Sequence, residues 1–246
     1  MEQNLKFSLI FIHGFLGQGS DWQSIVQSVL PGAASVHFLD LNHELNLAEL
    51  NFKNWPEAFI RWSKTQNIKA PMCLVGYSMG GRLMAPLLDE GLALRGIFLS
   101  SHFGIPEENL TLRAERRQTN KIWAQRFLNE PWAQVSQDWN QQDIFNNSQE
   151  LLKNEAHFDR QKLAAMLTGF SLSEQKDYSF LWQRKDLKLL YLAGENDLKY
   201  RTLAEVMRTK AINTKITILK NSGHRLLLDQ PQLVAQEILK FIAEPL

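Results

Sequence analysis

A chain of 246 residues with 27 Lys and Arg against 26 Asp and Glu carries a formal charge of +1. That balance removes the electrostatic case for nucleic acid or an anionic membrane as the default partner. Its 44% hydrophobic, 22% charged and 10% aromatic residues are those of an ordinary globular protein. The single cysteine, Cys73, excludes an intrachain disulfide and a multi-cysteine metal cage, and a reducing, cytoplasmic location is the expectation.

Read from the N-terminus, MEQNLK leads into a six-residue apolar run at 7–12, too short for a signal segment or a membrane span. That run is the first of six strand-length apolar segments, followed by 35–41, 72–77, 94–100, 187–192 and 215–219. Each is mostly apolar on both faces, as expected of strands buried in a parallel sheet. Helical patterns fill most of the gaps, at 20–30, 56–66, 78–91, 201–211 and 231–243. This β-α alternation predicts an α/β fold with a mostly parallel, doubly wound sheet. From about residue 103 to 185 the strand pattern lapses. Leu163, Met166, Leu167 and Phe170 recur there at helical spacing behind Asp159 as N-cap, and Pro131 suits the start of another helix. The expected division is a core of residues 1–102 and 186–246 with a helical cap, 103–185, over the sheet's C-terminal edge. Open α/β sheets bind ligands at that edge. Four of the seven tryptophans (Trp123, Trp132, Trp139 and Trp182) fall in the insert, which predicts a small core of its own.

Gly76-Tyr77-Ser78-Met79-Gly80 closes a predicted strand and opens a predicted helix. A G-x-S-x-G in that context is the nucleophile elbow of the α/β-hydrolase fold. Small neighbours let strand and helix approach, and the hydroxyl stands at a helix N-terminus, whose dipole favours developing negative charge. A serine needs an imidazole to take its proton and a carboxylate to orient that imidazole. Of six histidines, His224 follows the last strand, where the Ser…Asp…His order of this fold puts the base. His37 lies within a strand and reads as structural. Asp197, in the turn after the preceding strand, is the carboxylate, with Glu195 as runner-up. The loop His13-Gly14-Phe15 and the residue after the serine make the backbone N–H groups of Phe15 and Met79 the expected oxyanion hole. His13 itself reads as a loop-structuring residue, and Gly14, Gly17 and Gly19 lack the spacing of a phosphate-binding loop.

Arg82 lies four residues after Ser78 on the same helix and so shares its face. It suits an anionic substrate or, equally, a salt bridge to the insert or to the Asp40 loop. Arg113, Arg116, Arg117, Lys121 and Arg126 oppose only Glu115 over 14 residues, although 103–185 as a whole balances 11 basic with 11 acidic residues. Such a run is a solvated helix face or, together with Arg82, a site for several carboxylates, which guanidinium groups bind in bidentate fashion.

The stretches HGFLG…W (His13 to Trp22), LVGYSMGGR, RAERRQTNKIWAQRFLNEPW, QDWNQQDIF, LAAML, LAGENDLKYR and SGH span nearly the whole chain. Together they resemble the 2-succinyl-6-hydroxy-2,4-cyclohexadiene-1-carboxylate synthases of menaquinone biosynthesis, lyases on an α/β-hydrolase fold. Generic esterases do not share the motifs of the insert. The resemblance implies Ser78, Asp197 and His224 as the triad and Tyr77, Arg82, Arg116 and Trp139 as residues lining the substrate pocket. It also implies a small-molecule tricarboxylate as the ligand and no metal or organic cofactor. The implied reaction removes a ring proton from 2-succinyl-5-enolpyruvyl-6-hydroxy-3-cyclohexene-1-carboxylate as pyruvate departs. A serine hydrolase acting on a small carboxylated ester would use the same triad. A silent binding protein is the third reading, and an intact Ser-Asp-His set stands against it.

The chain departs from the family pattern in three places. Asp40-Leu41-Asn42-His43-Glu44-Leu45 replaces Asp-Leu-Pro-Gly-His-Gly after the second core strand. A further pocket arginine has no clean counterpart, with Lys153 and Arg160 as the candidates to replace it. The sequence also begins almost at the first core strand, so early antiparallel strands common in this fold are expected to be missing.

Overall fold

The computed structural model describes residues 7–29, 35–43, 51–69 and 71–244. The six apolar runs form β1 (Ser8–Ile12), β2 (Val36–Leu39), β3 (Met72–Tyr77), β4 (Arg95–Leu99), β5 (Lys188–Gly194) and β6 (Thr214–Leu219). They make one sheet in the order β2-β1-β3-β4-β5-β6, with every pairing parallel. Alternation along β1 shows why both faces had to be apolar. Leu9 and Phe11 join one buried cluster, Ile10 and Ile12 the other.

On the first face lie α1 (Gln23–Val29) and α9 (Pro231–Ala243), which bring Ile25, Val234 and Ile238 against Leu9, Val75 and Ile97. The helix predicted at 20–30 begins as a 3-10 turn, Gly19–Trp22, and its last residue, Leu30, lies outside the described residues. On the second face lie α2 (Trp55–Thr65) and α3 (Met79–Asp89), whose Trp55, Phe59 and Leu83 pack with Ile10, Leu74 and Phe98. From β1 the chain crosses to β2 on one side and then to β3 on the other. The C-terminal ends of β1 and β3 therefore flank the crevice where α/β sheets take ligands.

Residues 103–185 contain no strand among the described residues. Their helices are α4 (Leu110–Asn129), α5 (Trp132–Asn140) and α6 (Arg160–Gly169). Asp159 caps α6 by accepting from the N–H groups of Gln161 (2.8 Å) and Lys162 (3.2 Å). The expected separate core is not there. Phe127, Leu163, Met166, Phe170 and Trp182 belong to the same cluster as Trp55 and Leu83 of the sheet's second face. The ring of Phe170 meets that of Trp55 at 5.7 Å. The apolar stripes of α4 and α6 extend beyond their mutual contact, and the remainder is buried on the sheet unit. The chain then continues through α7 (Leu198–Lys210) and the short α8 (Leu226–Asp229). No helix among the described residues is long and apolar enough to cross a membrane.

Candidate active site

Ser78 links β3 to α3 with φ 51° and ψ −109°. A non-glycine residue held in that region costs ~1–3 kcal/mol. Two bonds enforce it: the Ser78 N–H donates to the Leu99 carbonyl and the Ser101 hydroxyl to the Ser78 carbonyl, both at 2.8 Å. The small neighbours are obligatory. A Cβ on Gly76 would lie 2.6 Å from the Gly80 carbonyl carbon, and one on Gly80 would lie 2.1 Å from the Ile12 carbonyl oxygen. Met79 opens α3, so its N–H has no acceptor within the helix. The N–H of Phe15, at the end of β1, donates to no group among the described residues.

His224 connects the serine to a carboxylate. Its Nε2 lies 3.1 Å from the Ser78 hydroxyl and its Nδ1 lies 2.8 Å from Asp197 Oδ2. Because a carboxylate only accepts, Nδ1 carries the proton and Nε2 is left to accept from Ser78. His224 and Asp197 are both buried, and the second Asp197 oxygen accepts from the Tyr200 N–H at 3.4 Å. Glu195, the runner-up carboxylate, instead accepts from the Asn221 N–H at 3.1 Å and braces the turn. His13 is a loop brace. Its Nε2 accepts from the Leu41 N–H at 2.9 Å, which leaves Nδ1 to donate to the Gly14 carbonyl at 2.7 Å.

Ser78, Met79, Phe15 and His224 line a cavity of about 90 Å³, with Trp139 and Phe145 also in its wall. Three cations share that cavity, Arg82, Arg116 and Lys199, and no Asp or Glu lines it among the described residues. Arg82 donates to the Phe170 carbonyl at 2.6 Å and has no carboxylate partner among the described residues. Burial, and then the neighbouring Arg116, push its guanidinium down to about 10. Arg116 has a buried Nε with no hydrogen-bond partner among the described residues, and burial lowers its proton affinity as well. Loss of hydration, then Arg116 and Arg82, push the Lys199 ammonium down to about 8. The imidazole of His102, just past β4, is pushed down to about 3 by burial and then by Lys199, Arg82 and Arg116.

The remaining basic residues of α4 have other partners. Arg113 donates to the carbonyls of Ile105 (2.7 Å) and Gln175 (3.0 Å). Arg117 pairs with Glu174 at 2.8 Å, Arg126 pairs with Glu130 and Asp138, and Lys121 lines a separate surface groove. The two candidates for the missing arginine are likewise committed, Lys153 to Asp21 at 2.6 Å and Arg160 to Glu155 at 3.2 Å. Lys199, rather than either of them, is the third cation lining the cavity among the described residues. Its signal was present in the sequence: a lysine in the first turn of a helix opposes the helix dipole unless an anion is nearby.

Trp139 lines the cavity and packs on Phe15 at 4.7 Å. Tyr77 stands at the end of β3, directly before Ser78. Strand alternation turns Tyr77 to the same face as Cys73 and Val75, and its ring lies 5.6 Å from that of His224. In the altered loop, Asn42 donates to the Gly17 carbonyl and Lys162 to the Asn42 carbonyl, at 2.9 and 2.7 Å. Glu44 and Leu45 lie outside the described residues.

An outer groove of about 1000 Å³ shares Arg116, Gln142, Ile144 and Lys199 with the inner cavity. The segment between them is held by Arg225, which donates to the Gln149 carbonyl (2.8 Å) and Asn140 Oδ1 (2.6 Å). The same guanidinium lies 4.0 Å over the Phe145 ring, which in turn sits 5.7 Å from the His224 ring.

Residues 9–237 match a family model described as the alpha/beta hydrolase family. A curated Escherichia coli protein named 2-succinyl-6-hydroxy-2,4-cyclohexadiene-1-carboxylate synthase is 31% identical over 244 residues, covering 95% of this chain and 93% of its own. A Klebsiella pneumoniae protein of the same name is 30% identical over 245 residues, covering 96% and 93%. Among solved structures, MenH from S. aureus superposes with a TM-score of 0.84 at 22% identity, over 98% of this chain and 94% of that one. A malate-bound esterase from Thermogutta terrifontis superposes with a TM-score of 0.76 at 15% identity, over 98% and 90%.

Proposed function

The chain belongs to the alpha/beta hydrolase family and, within it, to the 2-succinyl-6-hydroxy-2,4-cyclohexadiene-1-carboxylate synthases, and on that premise we propose that it is a pyruvate-eliminating lyase. Its substrate is 2-succinyl-5-enolpyruvyl-6-hydroxy-3-cyclohexene-1-carboxylate. The observation that carries the reading is a cavity lined, among the described residues, by three cations and no carboxylate, opening on a serine bonded to an imidazole. Three carboxylates on the substrate answer three cations.

His224 takes the proton of the Ser78 hydroxyl, and Asp197 steadies the imidazolium so formed. The Ser78 oxygen removes the ring proton next to the succinyl carbonyl. Charge develops on that carbonyl oxygen, which accepts from the N–H groups of Phe15 and Met79. Removing one such donor costs ~3 kcal/mol in hydrolases. The electron pair moves through the ring double bond, the carbon–oxygen bond to the enolpyruvyl group breaks, and the second ring double bond forms. The departing enolate takes up one proton and becomes pyruvate, so one proton is lost and one regained. Arg82 and Arg116 hold carboxylates throughout, and residues 103–185 act as the cap that brings Arg116 and Trp139 over the serine.

Purified protein given this substrate should release pyruvate in step with loss of the substrate's absorbance. Absence of pyruvate combined with rapid turnover of simple aryl esters would overturn the lyase reading in favour of an acyl-enzyme hydrolase.

A further inference from the structure

We propose that Lys199 is a carboxylate-binding site at the mouth of the cavity, completing a set of three anion-binding cations with Arg82 and Arg116. The assignment deepens the lyase reading and rests on it for the identity of the ligand.

Size points there first. The inner cavity measures about 90 Å³, whereas pockets for ligands of this class measure roughly 300–1,000 Å³. A tricarboxylate on Ser78 must therefore extend into the outer groove, and among the described residues the cations lining both spaces are Arg116 and Lys199. Pairing is the second point. The Lys199 ammonium makes no hydrogen bond or ion pair among the described residues and rests 5.5 Å from the Tyr200 ring centroid. Asp197, two residues away, is taken by His224 and the Tyr200 N–H. Position is the third. Lys199 stands in the first turn of α7, where the helix dipole disfavours a cation, and the one carboxylate there, that of the N-cap Asp197, is committed to His224 and the Tyr200 N–H. Lys199 reaches solvent at the cavity mouth, so its ammonium, set beside two arginines, is placed to meet an anion as it enters.

The groups facing it are Arg116 from α4, Arg82 from α3 and His102 beyond β4, with Asp197 and Tyr200 at its own helix end. Asp143 lines the outer groove beside it. With the ammonium pushed down to about 8, most of the charge is present at neutral pH and is lost as pH rises through that value. A bound carboxylate reverses the shift, so ligand binding takes up protons on the alkaline side.

The experiment compares the unaltered full-length protein with Lys199→Met, Lys199→Arg and Lys210→Met. Each is measured for pyruvate release across neutral to alkaline pH and for calorimetric binding of tricarballylate, a simple tricarboxylate probe. Lys199→Met should raise KM about 10- to 100-fold, the usual worth of a charge-assisted hydrogen bond, with a smaller loss in kcat. It should weaken tricarballylate to match and remove the alkaline fall in kcat/KM. Lys199→Arg should recover KM and keep kcat/KM level where the unaltered enzyme declines. Lys210→Met removes the same charge from the far end of α7 and should change neither. Unchanged KM and probe affinity in Lys199→Met would overturn the assignment, as would an alkaline fall that persists in Lys199→Arg. If the unaltered protein binds tricarballylate through Lys199 but releases no pyruvate, the carboxylate site stands and the lyase reading fails.

Discussion

Replacing Arg116 by methionine should make the empty protein more stable while removing most of its turnover, two effects of opposite sign from one side chain. The Arg116 Nε is buried with no partner, and an unsatisfied buried donor costs ~1–3 kcal/mol. The residue as a whole is only partly buried, so the low end applies and relief of ~1 kcal/mol is expected. Methionine keeps an unbranched apolar stem of similar reach, so little packing is lost. Removing the charge also relieves Arg82, whose guanidinium Arg116 depresses. For a chain of this length ~1 kcal/mol corresponds to a rise in Tm of ~2–4 °C. Against that, a charge-assisted bond to a substrate carboxylate contributes ~1.5–3 kcal/mol, which is a loss of about 10- to 150-fold in kcat/KM. Thermal unfolding without ligand and pyruvate release with substrate measure the two halves separately. A fall in Tm alongside the loss of activity would show Arg116 to be a packing element. Full activity would remove it from the binding site altogether.

Three further substitutions test neighbouring parts of the site. Ser78→Gly removes both the hydroxyl and the cost of a side chain at φ 51°, so pyruvate release should vanish while stability rises by ~1–2 kcal/mol; a drop in Tm would mean the elbow is unstrained. His102 has its proton affinity pushed down to about 3, so the unfolded chain binds a proton that the folded one refuses. Its contribution to stability is complete above the ordinary histidine value and declines as pH falls from there toward about 3, by at most ~1.4 kcal/mol per pH unit. His102→Asn keeps an acceptor for the Gly104 N–H and should flatten that part of a Tm–pH curve; an unchanged slope would refute the assignment. Arg225→Leu removes the guanidinium that donates to the Gln149 carbonyl and, beside the Leu151 N–H, to Asn140 Oδ1, so amide exchange across 140–149 should quicken and KM should rise; protection and KM equal to the unaltered protein would show that the Arg225 contacts hold nothing in place.

Legibility in the sequence followed the range of the interaction concerned. Six strands were readable because burial on both faces writes itself into consecutive residues, and the positions of Ser78, Asp197 and His224 because each follows a strand in fixed chain order. The cations of α4 were not separable by spacing. Arg117 finds Glu174 and Arg113 finds the Gln175 carbonyl, 57 and 62 positions away, so only the tertiary fold leaves Arg116 as the one facing the serine. Tyr77 shares the parity of Cys73 and Val75, so alternation alone sets its face, and the fold brings its ring beside that of His224. The four tryptophans of the insert announced a core but not its neighbour. A count of apolar residues cannot tell whether they pack on each other or on α2 and α3.

That shared core bears directly on the chemistry. A strained serine, a buried Arg116 Nε without a partner among the described residues and mutually repelling cations together forfeit several kcal/mol, a large part of the ~5–15 kcal/mol by which a domain is stable. An insert with its own separate core could relieve the repulsion by swinging away from the sheet. Here Phe127, Leu163 and Met166 are buried in one cluster with Trp55 and Leu83, and separation would expose all of them at ~1.5–3 kcal/mol for each large side chain. Burial therefore outweighs repulsion, and Arg116 is held opposite Arg82 while the cavity is empty. Charges fixed in place before the ligand arrives need no reorganisation as negative charge develops. A chain of net charge +1 concentrates its unmatched charge there because its continuous apolar core keeps those like charges together.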